Sequence, residues 1–211
     1  MRSNSSVGFI DAGYARAAFA QMVGCKADEI DIDYGELVGW FMVSARRAGS
    51  PLLRSYWYDG AYTSSHPAHS TQSAEFDRIS STPGIQLRLG HLEKRKAPWK
   101  PALRKAIREC GWNLADLEEK FSFKDSYEQK GVDTLIVLDM VRLAQLGVYG
   151  TAILLAGDRD LAEAIRTAQD SGAYVIVAHP RGVGISKEIA RLSDETVVLS
   201  QQLVSRMAKP K

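Results

Sequence analysis

Uninterrupted apolar runs that alternate with amphipathic segments constrain the fold of this chain most strongly. Thr151–Ala156 (TAILLA) and Tyr174–Ala178 (YVIVA) contain no charged residue, as expected for strands that helices cover on both faces. Val132–Leu146 has apolar residues at helical spacing, and Gly147 ends it. The alternation of strands and helices predicts an α/β fold, a three-layer sandwich whose mostly parallel central sheet is flanked by helices.

Weaker patterns place the other elements. Val7–Ile10 (VGFI) predicts the first strand, which leads into a helix that ends near Met22, and Asp33 is expected to cap a second helix. Further strands are predicted at 52–58, 85–89 and 196–199, and further helices at about 74–80, 103–117, 158–168 and 186–191.

These elements suggest one domain. We expect residues 1–6 to be a disordered N-terminus, 7–205 to form the single domain, and 206–211 to be a C-terminal tail. Residues from about 91 to 129 lack an apolar core of their own, so we interpret them as a variable basic insertion or lid.

Composition excludes several classes of protein. The chain has 211 residues, and its two cysteines, Cys25 and Cys110, are too isolated for a zinc site or a disulfide framework. No stretch approaches the roughly 18 apolar residues that span a bilayer, and Met1–Ser6 does not resemble a signal peptide. We therefore expect a cytoplasmic protein with no membrane partner, and no pattern fixes its oligomeric state, for which a homodimer is one option.

The net charge is only +2, but the basic residues are unevenly distributed. His91–Lys105 holds a single acid among many basic residues, and Trp99 lies within it. Such a segment can follow a phosphate backbone and stack on a base, although an ordinary solvated loop and helix face explain it equally well. The candidate substrate-binding residues here are Lys94, Arg95, Lys96, Trp99 and Lys100.

Aspartates follow two of the predicted strands. Asp11 ends the first strand and Asp158 follows TAILLAG, and adjacent parallel strands would bring the two together at the carboxyl edge of the sheet. Asp133 begins the helix before the second strand, Asp139 lies six residues later, and Asp160 opens the next helix. Helix capping could explain Asp133 and Asp160, and Asp139 could be an exposed helix residue.

Carboxylates this close together would repel one another unless a cation lies between them. A site made only of oxygen ligands favours Mg²⁺ or Mn²⁺ over zinc. Such an ion lowers the pKa of a bound water and stabilises charge on a phosphoryl oxygen, which suits hydrolysis of an RNA diester. Lys130 is a candidate contact to a substrate phosphate, unless it is an ordinary surface lysine.

The segments that carry these acids also resemble a known family. FIDAGY (Phe9–Tyr14), KGVDTLIVLDM (Lys130–Met140) and AILLAGDRDL (Ala152–Leu161) are similar, in order and spacing, to the signature segments of LabA-like NYN domains, and YWYDG and LRLGHL resemble that family's intervening strands. The resemblance implies a PIN-like fold and a divalent-metal-dependent ribonuclease that acts on RNA, which we expect to be single-stranded.

By motif position, the resemblance implies a metal-binding and catalytic group of Asp11, Asp133, Asp158 and Asp160, with Asp139 as a further catalytic member. The chain departs from the family pattern at three positions. Tyr14 stands where many members have Asn, and Ala156 and Leu161 stand where many have Ser and Phe. The loss of the Asn could weaken the positioning of metal or substrate.

Other functions fit the sequence less well. A phosphatase with an aspartyl nucleophile needs a second Asp where this chain has Gly13, and the only dinucleotide-type turn, at Gly182 and Gly184, lacks its third glycine. The alternative that stays open is a non-catalytic module that keeps the PIN-like fold and binds RNA or a protein partner.

Overall fold

The computed structural model describes residues 4–94, 101–113, 116 and 127–211. Its strands are β1 (Ser6–Asp11), β2 (Ile30–Ile32), β3 (Leu52–Ala61), β4 (Ile85–Lys94), β5 (Tyr127–Lys130), β6 (Thr151–Leu155), β7 (Tyr174–Pro180), β8 (Glu195–Leu199) and β9 (Ala208–Pro210). Its helices are α1 (Ala12–Val23), α2 (Tyr34–Arg47), α3 (His69–Ser81), α4 (Pro101–Glu109), α5 (Val132–Gln145), a 3₁₀ turn at Arg159–Leu161, α6 (Ala162–Asp170), α7 (Lys187–Leu192) and α8 (Gln201–Met207).

Seven strands form the central sheet in the order β5-β4-β3-β1-β6-β7-β8. All neighbours in it are parallel except β4 and β5, which are antiparallel. One apolar cluster joins one face of the sheet to α1, α2, α3 and α8, and a second joins the other face to α5, α6 and α7. The predicted α/β sandwich with a mostly parallel sheet is therefore confirmed.

The order of the strands creates a crevice at the middle of the sheet. From β1 the chain moves to β3 on one side, whereas from β6 it moves to β7 on the other. The helix after β1 and the helix after β6 consequently lie on opposite faces. The gap between the carboxyl ends of β1 and β6 is a topological switch point, where α/β folds commonly bind ligands.

Local sequence signals account for most of the element boundaries. Asp33 caps α2 by accepting a hydrogen bond from the Glu36 N–H (2.9 Å), as predicted. The helix that was predicted only weakly, at about 74–80, is longer and spans His69–Ser81. No helix in the described part of the chain is long and apolar enough to cross a membrane.

Three predicted boundaries were wrong. Residues 206–211 are not a tail, because they complete α8 and form β9, which pairs with β2. The expected insertion at 91–129 contributes both its ends to the sheet, where His91–Lys94 pairs with Tyr127–Lys130. The first strand begins at Ser6, inside the N-terminus that was expected to be disordered. Short strands whose partners are distant in sequence carry too little local signal to be recognised.

Candidate functional site

The switch point brings together four of the predicted site residues, which we call the acidic cluster: Asp11, Asp133, Asp158 and Asp160. β1 and β6 are paired up to Ile10 and Leu155. Asp11 is the last residue of β1, and Asp158 comes three residues after the end of β6. Asp133 reaches the same place from the first turn of α5, and its pKa responds to the charges of Asp158 and Asp160.

Asp11 is the buried member of the acidic cluster, with 9% of its surface exposed. Its Oδ1 accepts a hydrogen bond from the Tyr14 N–H (3.1 Å), so its side chain caps α1. Burial, together with the charges of Asp133 and Asp59, raises the pKa of Asp11 to about 6 against the opposing hydrogen bonds from backbone N–H groups. A carboxylate in this position is costly to ionise without a cation.

The other three members are exposed to solvent. Partial burial raises the pKa of Asp133, and the charges of Asp158 and Asp160 add to the effect. Asp158 caps the 3₁₀ turn, because its Oδ1 accepts a hydrogen bond from the Asp160 N–H (3.0 Å). This hydrogen bond stabilises the turn that carries both Asp158 and Asp160.

No lysine or arginine among the described residues forms an ion pair with the acidic cluster. Arg159 lies between Asp158 and Asp160 in sequence, but its Nε is 2.7 Å from Glu188 Oε2. The cluster is therefore a group of mutually repelling carboxylates that the described part of the protein does not neutralise.

Tyr14 links the two loops of the site. Its backbone N–H donates to Asp11, and its ring packs so closely against Gly157 that a Cβ at that position would clash with the ring. Gly157 therefore allows the loop after β6 to approach α1. The Tyr14 hydroxyl is buried with no hydrogen-bond partner among the described residues.

Asp139 is not brought into the acidic cluster. It lies on α5, and its Oδ2 accepts hydrogen bonds from the Tyr58 hydroxyl (3.1 Å) and Arg88 Nε (3.3 Å). Its Oδ1 is 3.7 Å from Arg142. Six residues of helix place Asp139 on a different face from Asp133, and its charge is neutralised there.

Asp59 is a neighbour of the site that the sequence analysis missed. It lies within β3, with 1% of its surface exposed, and its charge raises the pKa of Asp11. Its Oδ2 is 2.7 Å from Arg16 on α1 and accepts a hydrogen bond from Trp57 Nε1 (3.2 Å). The sequence Asp59-Gly60 is typical of a turn, so we did not consider Asp59 as a site residue. In the sequence, however, Asp59 comes directly after a run of strand-forming residues, as Asp11 does.

The basic candidates can be placed only in part. The backbone of Lys130 ends β5, directly before Gly131 and the start of α5, and the backbone of Lys94 ends β4. Arg95, Lys96, Trp99 and Lys100 lie outside the described residues. The substrate contacts assigned to these six residues stay predictions.

The metal-binding prediction was tested against the geometry of the site. Among the described residues, no three Asp, Glu, His or Cys side chains lie close enough together to hold a metal ion as they stand. The chemistry of the donor set nevertheless fits a hard divalent cation, because it consists of carboxylates whose charges act on one another and which have no lysine or arginine partner among the described residues.

The chain has the PIN-like α/β fold of nuclease type that an NYN domain implies. The NYN domain model matches residues 9–200, so the chain belongs to the NYN domain family. This match includes all four members of the acidic cluster. The assignment to the LabA-like type stays a prediction.

One relative and one solved structure are similar to this chain, and neither has a named activity. An uncharacterized protein, y4oD, from Sinorhizobium fredii is 34% identical over 87 residues, which are 40% of this chain and 41% of that protein. The chain thus matches less than half the length of this relative. A crystal structure of a protein of unknown function from Vibrio parahaemolyticus has a TM-score of 0.55 at 16% identity, covering 94% of this chain and 96% of that one.

Proposed function

We propose that this protein is a divalent-metal-dependent ribonuclease that hydrolyses phosphodiester bonds of single-stranded RNA. The single observation that carries the proposal is the acidic cluster at the switch point between β1 and β6, in which four carboxylates lack a cationic partner among the described residues. Membership of a family with a nuclease-type fold supports the same activity.

The acidic cluster would hold Mg²⁺ or Mn²⁺. When bound, such a cation supplies a water of lowered pKa and a positive charge for the phosphoryl oxygens. Asp11 would contribute a fixed ligand, because the Tyr14 N–H orients its carboxylate. Because Asp133, Asp158 and Asp160 are exposed, their side chains are free to close on a cation that their present positions do not enclose.

The surroundings of the cluster favour an anionic substrate once the cation is bound. Asp133 lies in the first turn of α5, a helix of 14 residues whose amino end carries a partial positive charge. A phosphate at this end would meet free backbone N–H groups as well as the cation. Lys130 and the basic residues at 94–100 would add contacts to neighbouring phosphates, while the cytoplasmic location and the homodimer stay predictions from the sequence.

Cleavage of labelled single-stranded RNA by the purified protein tests this proposal. We expect cutting with Mg²⁺ or Mn²⁺, none with EDTA, and a loss of at least about 100-fold for Asp158→Asn, because it removes a ligand charge without changing side-chain size. The matched control is Asp139→Asn, which alters an aspartate that Arg88 already neutralises, and it should keep activity within about tenfold of wild type.

Failure of the wild type to cut RNA with either metal would contradict the proposal. Cutting that EDTA leaves unchanged would contradict the metal dependence. Binding of RNA without cleavage in all metals would favour the alternative, a non-catalytic module that keeps the fold.

A further inference from the structure

A groove of about 480 Å³ lies beside the acidic cluster, between α1, α3 and the ends of β3 and β4. We call it the α1–α3 groove, and its lining includes Gly13, Arg16, Asp59, Tyr62, Thr71 and Glu75. Its volume is in the range of pockets that bind small organic ligands. The mechanism proposed above makes no use of it.

The α1–α3 groove adjoins the site of the proposed reaction. Gly13 lies two residues after Asp11, and its N–H is one of the backbone donors that act on the Asp11 carboxylate. Asp59, at the floor of the groove, is close enough to raise the pKa of Asp11. A nucleotide whose phosphate lies at the acidic cluster could therefore place its base in this groove.

The walls of the groove are held in place by hydrogen bonds. The Tyr62 N–H donates to Gln72 Oε1 (2.8 Å), and Gln72 Nε2 donates to the Gly60 carbonyl (2.8 Å). The ring of Tyr62 stacks on that of His66 at 3.9 Å between centroids. A wall with fixed rotamers loses little entropy when a ligand binds.

Glu75 gives the groove a charged hydrogen-bond acceptor. Its Oε1 accepts from the Tyr34 hydroxyl (2.6 Å) and from Arg16 (3.2 Å), and among the described residues no bond to Oε2 is seen. Burial acts to raise the pKa of Glu75, but the charges of Arg16 and Lys211 and the Tyr34 hydroxyl outweigh it and lower the pKa. Glu75 is therefore ionised, and 30% of its side chain is exposed.

We propose that the α1–α3 groove binds an unpaired nucleobase of the RNA strand next to the cleaved phosphate, and that Glu75 favours bases with an exocyclic amine, namely adenine, cytosine and guanine. This inference rests on the proposed function for the identity of its ligand. Carboxylates accept hydrogen bonds from such amines, whereas uracil has no exocyclic amine, offers only its ring N3–H, and presents exocyclic oxygens that a carboxylate repels. Only an unpaired base can enter a pocket of this kind, which gives a structural reason for the proposed action on single-stranded RNA.

Two variants on the same helix separate the groove from its surroundings. Thr71→Trp would fill the groove, because Thr71 lines it and is exposed. Ser73→Trp places the same side chain at another exposed position of α3 that does not line the groove. A difference between the two variants therefore reports on the groove and not on added apolar surface.

The test is the anisotropy of fluorescent ten-nucleotide RNAs of adenine, cytosine or uracil, measured with Ca²⁺ in place of Mg²⁺ or Mn²⁺ so that a divalent cation is available to the acidic cluster, with a gel to check that the strands stay intact. We expect the wild type and Ser73→Trp to bind the adenine and cytosine strands about tenfold more tightly than the uracil strand, and Thr71→Trp to lose that preference. Glu75→Gln should reduce the preference while circular dichroism shows an unchanged fold.

Equal binding of the three RNAs by the wild type would overturn the inference, and so would equal behaviour of the two tryptophan variants. Either result would leave cleavage by the acidic cluster unaffected. The expected preference in a protein that cuts no RNA would support the groove and contradict the proposed nuclease, so the two failures are distinguishable.

Discussion

Two kinds of aspartate lie near the carboxyl edge of the same sheet, and they differ in their partners. Asp59 is paired with Arg16, and Asp139 is paired with Arg88 and bound by the Tyr58 hydroxyl. Asp11 and the other members of the acidic cluster have one another for neighbours. The paired aspartates stabilise the domain, whereas the acidic cluster, which has no cationic partner among the described residues, is where we propose that a cation from solution binds.

This difference has a cost that folding alone does not explain. A buried carboxylate without a cation raises the free energy of the folded state, and selection for stability alone would neutralise or remove it. Arg16 lies on the helix that Asp11 caps, but it forms no ion pair with Asp11. That Arg16 instead binds Asp59 and Glu75 leaves Asp11 available to a ligand.

The largest effect on stability is expected when a paired aspartate loses its arginine partner. Arg16→Met would leave the buried Asp59 without its guanidinium partner, so the free energy of unfolding should fall by about 3–5 kcal/mol in urea denaturation. Arg206→Met, which breaks the exposed pair with Glu36, is the control and should cost less than about 1 kcal/mol. Equal effects of the two substitutions would show that the Arg16 pair is not a structural device.

Removing the charge of Asp11, a member of the acidic cluster, is expected to raise the free energy of unfolding instead. Asp11→Asn keeps an acceptor for the Tyr14 N–H and removes the buried charge, so without metal the variant should be more stable than wild type at pH 7.5 by about 2 kcal/mol. Because the pKa of Asp11 is raised from 3.8 to about 6, wild-type stability should rise as the pH falls from 6 toward 4, and the advantage of the variant should shrink.

Urea denaturation from pH 4.5 to 8 would measure this dependence. Asp139→Asn serves as the comparison, because it removes the partner of Arg88 and should lower stability at neutral pH. An Asp11→Asn variant less stable than the wild type at pH 7.5 in EDTA would contradict the account of the acidic cluster.

The smallest effect concerns the Tyr14 hydroxyl, which has no hydrogen-bond partner among the described residues. Tyr14→Phe removes a buried, unsatisfied group and should raise the melting temperature by roughly 2–4 °C, which corresponds to about 1 kcal/mol. Tyr149→Phe is the matched control, since its hydroxyl donates to the Met140 carbonyl (2.7 Å) and its loss should lower the melting temperature. A Tyr14→Phe protein that melts below the wild type would show that the hydroxyl has a partner.

The sequence predicted the central strands and the four acids because both are local signals. TAILLA has the pattern of a doubly covered strand, Asp158 comes shortly after it, and Asp11 ends the apolar run VGFI. The meeting of Asp11 and Asp158 required only that β1 and β6 be neighbours, which the order of the sheet bears out. The fold class was thus predictable from patterns of a few residues each.

Local patterns could not predict which distant strands pair or which side chains become partners. β9 forms because Ala208–Pro210 meets a strand some 180 positions earlier, and no pattern within three residues encodes that contact. The motif led us to expect Asp139 as a further catalytic member, but its partner Arg88 comes from β4, which is distant in sequence. Asp59 was concealed by the glycine that follows it.

The measurement that tests the central claim most directly is Mn²⁺ binding by isothermal titration calorimetry to the wild type, Asp158→Asn and Asp139→Asn. The account predicts that the wild type binds Mn²⁺, that Asp158→Asn binds it at least about tenfold more weakly, and that Asp139→Asn matches the wild type. Failure of the wild type to bind Mn²⁺ at millimolar concentrations, or equal loss in both variants, would contradict the distinction between paired and unpaired aspartates.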